Sequence, residues 1–70
     1  MITREALVTA MTEAVIAWEL ALACYDHAGA EEQSLRINKL SRVAKGMGLN
    51  ANEIKYEAFQ VALQRQGFAD

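Results

Sequence analysis

Cys24 and His27 stand three residues apart, a spacing that puts two side chains on one helical face. A thiol beside an imidazole is the beginning of either a zinc site or a nucleophilic pair. A structural zinc takes about four ligands, and the chain has no second cysteine and no second histidine. A Cys/His nucleophile needs a third group to orient the base and donors for an oxyanion, which one helical turn does not supply. The four glycines fall at corners and form no phosphate-cradling loop. The expectation is therefore a non-enzymatic protein with no catalytic residue, no metal and no cofactor. On this reading Cys24 is small packing material, and His27 sits at a helix C-terminus, where positive charge is favoured. Trp18 and Tyr25 read as core or interface rather than as stacking platforms for a ligand.

The remaining chemistry is charge. From residue 5 to residue 32 the chain carries Glu5, Glu13, Glu19, Asp26, Glu31 and Glu32 with no lysine or arginine, and from 33 to 52 it carries Arg36, Lys39, Arg42 and Lys45 with no acid. Such a basic block attracts phosphates, and it serves equally well against an acidic helix of the same chain or of a neighbour.

These residues must be positioned by a very small body. Seventy residues make one domain, 1–70, with a core that ordinarily needs a staple, a metal or a partner subunit. The single cysteine excludes an internal disulfide and suits a reducing, cytoplasmic setting. Glu5, Glu13 and Glu19 interrupt the apolar N-terminal third, which argues against a secretory signal and a membrane partner. Apolar residues make up 53% of the chain and proline is absent, a composition for long helices rather than disorder.

Capping residues and apolar spacing predict an all-α fold of three helices, about 3–28, 30–47 and 51–66. Thr3 caps the first, which is the longest, with Ile2 and Leu7 at the hydrophobic-staple positions and Gly29 as its left-handed stop. Gly67 ends the third, with Phe68 folding back. The first helix carries two seams in alternating steps of four and three: Leu7, Met11, Ala14, Trp18, Ala21, Tyr25, and the small-residue seam Ala10, Ala14, Ala17, Ala21, Cys24. Heptad spacing of this kind suits a closely packed second helix. Val8, Val15 and Leu22 widen the first face, and Glu13 falls on a charged one. The second helix offers Ile37, Leu40, Val43, Ala44 and Met47; the third offers Ile54, Ala58, Val61 and Ala62, with Tyr56, Phe59 and Leu63 displaced to another side. Apolar width beyond what one neighbour covers predicts a homodimeric helical bundle with Ala10, Ala14, Ala17 and Ala21 as the dimer seam.

Between the second and third helices runs AKGMGLNANE, residues 44–53. Val43 and Ala44, then Gly48, Leu49, Asn50 and Ile54 resemble the corner of a DNA-binding helix-turn-helix over residues 40–59. The resemblance implies a second helix lying in the major groove, with Asn52, Lys55, Tyr56 and Phe59 on its reading side and Arg42 and Lys45 near phosphates. The same letters also make an ordinary capped corner. Gly48 follows a helix end, Asn50 and Glu53 start the next helix, and Leu49 with Ile54 forms a staple. Glu57 stands where the family pattern has a buried apolar residue, with Ala58 beside it, and the third helix has as much acid as base in its first two turns.

The function expected first is that of a small regulator, in the style of phage or mobile-element products, antitoxins and anti-activators. It would bind and modulate or inhibit a host or cellular protein, with Tyr56, Phe59 and Leu63 as partner-binding residues. A helix-turn-helix transcriptional regulator is the alternative, with Arg42, Lys45, Asn52 and Lys55 as nucleic-acid contacts.

Overall fold

The computed structural model describes residues 2–66 and is all-α. Helix α1 spans Arg4–Ala23, α2 spans His27–Gly46 and α3 spans Ala51–Arg65. Thr3 caps α1 as its position predicts, its hydroxyl accepting from the Ala6 N–H at 3.0 Å. The expected stop at Gly67 and the fold-back of Phe68 lie outside the described residues.

The second corner follows its local chemistry closely. Gly48 has φ +78°, and behind it the Leu49 N–H donates to the Ala44 carbonyl at 2.9 Å while the Gly48 N–H donates to Lys45 at 3.0 Å. This double bond pattern satisfies the last carbonyls of α2 and turns the chain. Asn50 then starts α3, its side-chain oxygen accepting from the N–H groups of Asn52 (3.0 Å) and Glu53 (3.3 Å).

The first corner departs from expectation. Instead of running to His27 or Ala28, α1 stops at Ala23, and Asp26 caps α2 by accepting from the Gly29 N–H at 2.9 Å. The left-handed residue is Tyr25 (φ 57°), with the Asp26 N–H donating to Ala21 at 2.8 Å and the Tyr25 N–H to Leu22 at 3.1 Å. Asp26 thus closes one helix with its backbone and opens the next with its side chain. Gly29 is the third residue of α2, not a stop, and a Cβ there would collide with the capping Asp26 carboxylate. His27 accordingly opens α2 at the positive end of its dipole, the opposite of the placement expected for it. Tyr25 leaves the apolar seam altogether and is 84% exposed.

One cluster holds the three helices together: Leu7, Met11, Ala14 and Val15 of α1, Ile37 and Ala44 of α2, and Ile54, Ala58 and Ala62 of α3. Full burial of a side chain such as Leu7, Met11 or Ile54 contributes about 1.5–3 kcal/mol. The one buried polar side chain among the described residues, Thr12, donates to the Val8 carbonyl at 2.7 Å, so its hydroxyl costs little to bury. By length and composition α1 could also cross a bilayer, with a mean hydropathy of 1.5, but in this fold its richest apolar arc forms the core.

The short first corner makes α1 and α2 a hairpin, and α3 packs against both. Glu57 pairs with Arg4 near the start of α1 (2.8 Å), whereas Phe59, two residues on, meets Trp18 near its end with ring centroids 6.4 Å apart and planes at 86°. Glu57 is thus half-exposed on a flank while Ala58 takes the buried place beside Ile54. An ion pair this exposed contributes at most about 1 kcal/mol.

The corners generate three expectations for chemical denaturation. Gly48→Val forces a β-branched residue into the left-handed region and should destabilise by more than about 1 kcal/mol, whereas Gly46→Ala, whose Cβ meets nothing within 4 Å, should be neutral or stabilising by up to about 1 kcal/mol. Tyr25→Gly should raise stability by about 1 kcal/mol, because it relieves the strained φ while removing a side chain that packs on little. An unchanged or lower denaturation midpoint for Tyr25→Gly would contradict the left-handed assignment.

Candidate functional site

Four surfaces collect the residues singled out by sequence. The first is an open groove of about 630 Å³ at the α2–α3 corner, lined by Ser41, Arg42, Lys45, Leu49, Asn50 and Asn52 among others. It brings together three of the four nucleic-acid candidates, two of them cations. Asn50 already occupies the N–H groups of Asn52 and Glu53 at the mouth of α3, so the helix end offers an anion little beyond these side chains.

Lys55, the fourth candidate, is elsewhere. It is half-buried in a cleft with Trp18, Ser34, Ile37, Asn38 and Phe59 on the side of α3 that faces the α1–α2 hairpin. Spacing along α3 alone groups Lys55 with Asn52; the hairpin beneath separates them.

The outer side of α3 carries the partner-binding candidates. Tyr56 is 68% exposed and lines a shallow, almost wholly apolar strip with Asn52, Glu53, Glu57 and Gln60, where the stems of the polar side chains flank the ring. Leu63 is exposed on the same side. Phe59 stands on the shoulder between this strip and Trp18, half-buried. Tyr56 therefore has little packing role, Leu63, at 37% exposure, has a partial one, and Phe59 has a substantial one.

The fourth surface is the side of the hairpin away from α3. Ala17, Leu20, Ala21 and Cys24 of α1 border a cleft of about 440 Å³ against Gly29, Glu32 and Gln33 of α2. Within the small-residue seam, Ala14 is fully enclosed by the chain's own core, while Ala10, Ala17 and Ala21 are half-buried. What approaches the seam closely within one chain is α2. Glu13 stands on the exposed arc between Ala10 and Ala17 rather than on a separate charged face. Leu20 projects beside them at 59% exposure, and Leu22, on the same arc as the buried Met11 and Val15, is 44% exposed at the last turn of α1. Leu35 is also exposed, among the charges of α2; a lone leucine between Glu32 and Arg36 was the available signal for it.

Cys24 is exposed, and the first corner separates its helix from that of His27. Among the described residues no three of the His, Cys, Asp and Glu side chains gather as a metal site would require. Comparison with known proteins yields no matching family model, no similar curated protein and no similar solved structure.

The contrast within α3 is measurable. Phe59→Ala should lower stability by about 1–3 kcal/mol through loss of the Trp18 edge contact and partial burial, whereas Tyr56→Ala should stay within about 0.5 kcal/mol of wild type. Equal losses in urea titrations would mean that Tyr56 is structural too.

Proposed function

We propose that this chain is a non-enzymatic regulator, acting as a homodimer, that binds a second, cellular protein through the outer face of α3. One observation carries the reading: Tyr56 and Leu63 lie exposed on the same side of a helix whose core residues, Ile54, Ala58 and Ala62, are on the other. Buried aromatic anchors dominate the energy of protein interfaces, and a tyrosine supplies large contact area at small entropic cost. Neighbouring Glu53, Glu57 and Gln60 make a polar rim suited to a partner with basic groups around an apolar socket.

A second reading, duplex recognition through the α2–α3 corner, is favoured by the convergence of Arg42, Lys45 and Asn52 on one groove. Against it, Lys55 is half-buried in another cleft and the Asn50 cap occupies the N–H groups of Asn52 and Glu53 at the mouth of α3.

The two readings separate on substitution. For a protein target, Tyr56→Ala should reduce capture of the target at least tenfold with an unchanged melting midpoint, Leu63→Ala should reduce it with a small loss of stability, and Arg42→Ala and Lys45→Ala should alter mainly the association rate. For DNA, each of those two cation removals should flatten the salt dependence of binding by about one unit of slope. Specific duplex binding at physiological salt, abolished by Arg42→Ala or Lys45→Ala with the fold intact, would overturn the proposal.

A further inference from the structure

Two of the clefts are bounded by the same pair of helices. Ser41, Arg42 and Lys45 of α2 face Asn52 of α3 in the one at the corner. Ser34 and Asn38 of α2 face Lys55 and Phe59 of α3 in the other, with Trp18 of α1 at its end. On each helix the step from one cleft to the next is a single turn, from Asn38 to Ser41 and Arg42 on α2 and from Asn52 to Lys55 on α3. Helical spacing also holds Ser34, Asn38, Ser41 and Lys45 in one narrow stripe of α2, and Asn52, Lys55 and Phe59 in one of α3. The two clefts are therefore successive parts of a furrow along the α2–α3 seam, basic at the corner and aromatic at the far end.

No acid lines either cleft, in a chain whose acids outnumber its lysines and arginines by nine to seven. The stripe turns acidic only at Glu31, one turn before Ser34. Lys55 is half-buried, and the ion pair found among the described residues is Arg4–Glu57, so none of their carboxylates offsets the cost of holding its charge partly out of water. Beside it the neutral polar groups are suited to a peptide main chain. The side-chain amides of Asn38 and Asn52 each carry donors and an acceptor, and the Ser41 hydroxyl, which donates to the Ile37 carbonyl at 3.0 Å, keeps its lone pairs for an N–H.

We infer that this furrow holds an extended acidic peptide segment, at a site separate from the outer side of α3. From Ser34 to Lys45 the α2 wall is about 16 Å long, the span of about five extended residues. Carboxylates on alternate residues of such a segment are about 7 Å apart, within reach of Lys55 at one level and of Arg42 and Lys45 at the next, and an apolar residue at its end meets Phe59 and Trp18. A single-stranded nucleic acid fits less well. The chain carries a net charge of -2, Glu53 and Glu57 stand on the neighbouring side of α3, and the edge contact between Trp18 and Phe59 occupies ring surface that a stacked base requires.

The test is a nitrogen-15 NMR titration of the full chain with a blocked six-residue peptide, one leucine followed by alternating glutamate and serine. Amide shifts should be confined to 34–45 and 51–59, and binding should weaken as salt is raised. Arg42→Ala and Lys45→Ala, both exposed, should each weaken it about threefold, and Lys55→Met, which keeps the stem and removes the charge, about tenfold. The exposed pair carries the test should Lys55→Met disturb the fold. Arg36→Ala, the same charge change off the furrow, and Tyr56→Ala should leave binding unchanged, the latter separating this site from the protein-binding face. Equal binding of the peptide with glutamine for glutamate, equal weakening by Arg36→Ala, or shifts reaching Arg65 overturn the inference. Tighter binding of hexathymidylate than of the acidic peptide overturns it as well, in favour of a nucleic-acid groove.

Discussion

The fold depends on close approach at alanine. Ala14, Ala44, Ala58 and Ala62, drawn from all three helices, have no exposed surface, and a methyl group lets helix backbones approach more closely than a larger side chain would. The larger Leu7, Met11, Val15 and Ile54 fill the space around those contacts. Protein interiors pack at the density of organic crystals, so enlarging one of these alanines must push an entire helix outward. The same alanines limit the core: they bring backbones together but bury little apolar area.

That limit explains where the surfaces are. A 70-residue chain with a core built on alanine covers only one arc of α1, from Leu7 to Val15, and leaves Leu20 and Leu22 beyond it in solvent. Because α3 packs on one side of the hairpin, its outer side keeps Tyr56 and Leu63 exposed and the far side of the hairpin stays bare. Small domains commonly make up such a deficit by association.

Much of this was legible in the residues. The Gly48–Asn50 corner was readable because a glycine past a helix end and an asparagine at the next start act through their own backbone bonds, within five residues. The first corner was not, because Gly29 has two possible uses. It looks like a left-handed stop, but its missing Cβ makes room for the Asp26 cap, and Tyr25, a poor candidate by residue type, adopts the positive φ. Apolar arcs were legible as arcs; their partners were not. Ala14 was recognisable as a seam residue, but only the fold assigns it to the chain's own core, and only the packing of α3 on the hairpin places Lys55 in a different cleft from Arg42, Lys45 and Asn52.

Native-state hydrogen exchange along α1, followed at two protein concentrations, probes this division of labour most directly. Amides from Leu7 to Val15 should exchange only through global unfolding, while those from Leu20 to Ala23 should open locally in dilute protein and gain protection at high concentration. Uniform protection along α1, independent of concentration, would contradict an α1 whose first half completes one chain and whose second half awaits another.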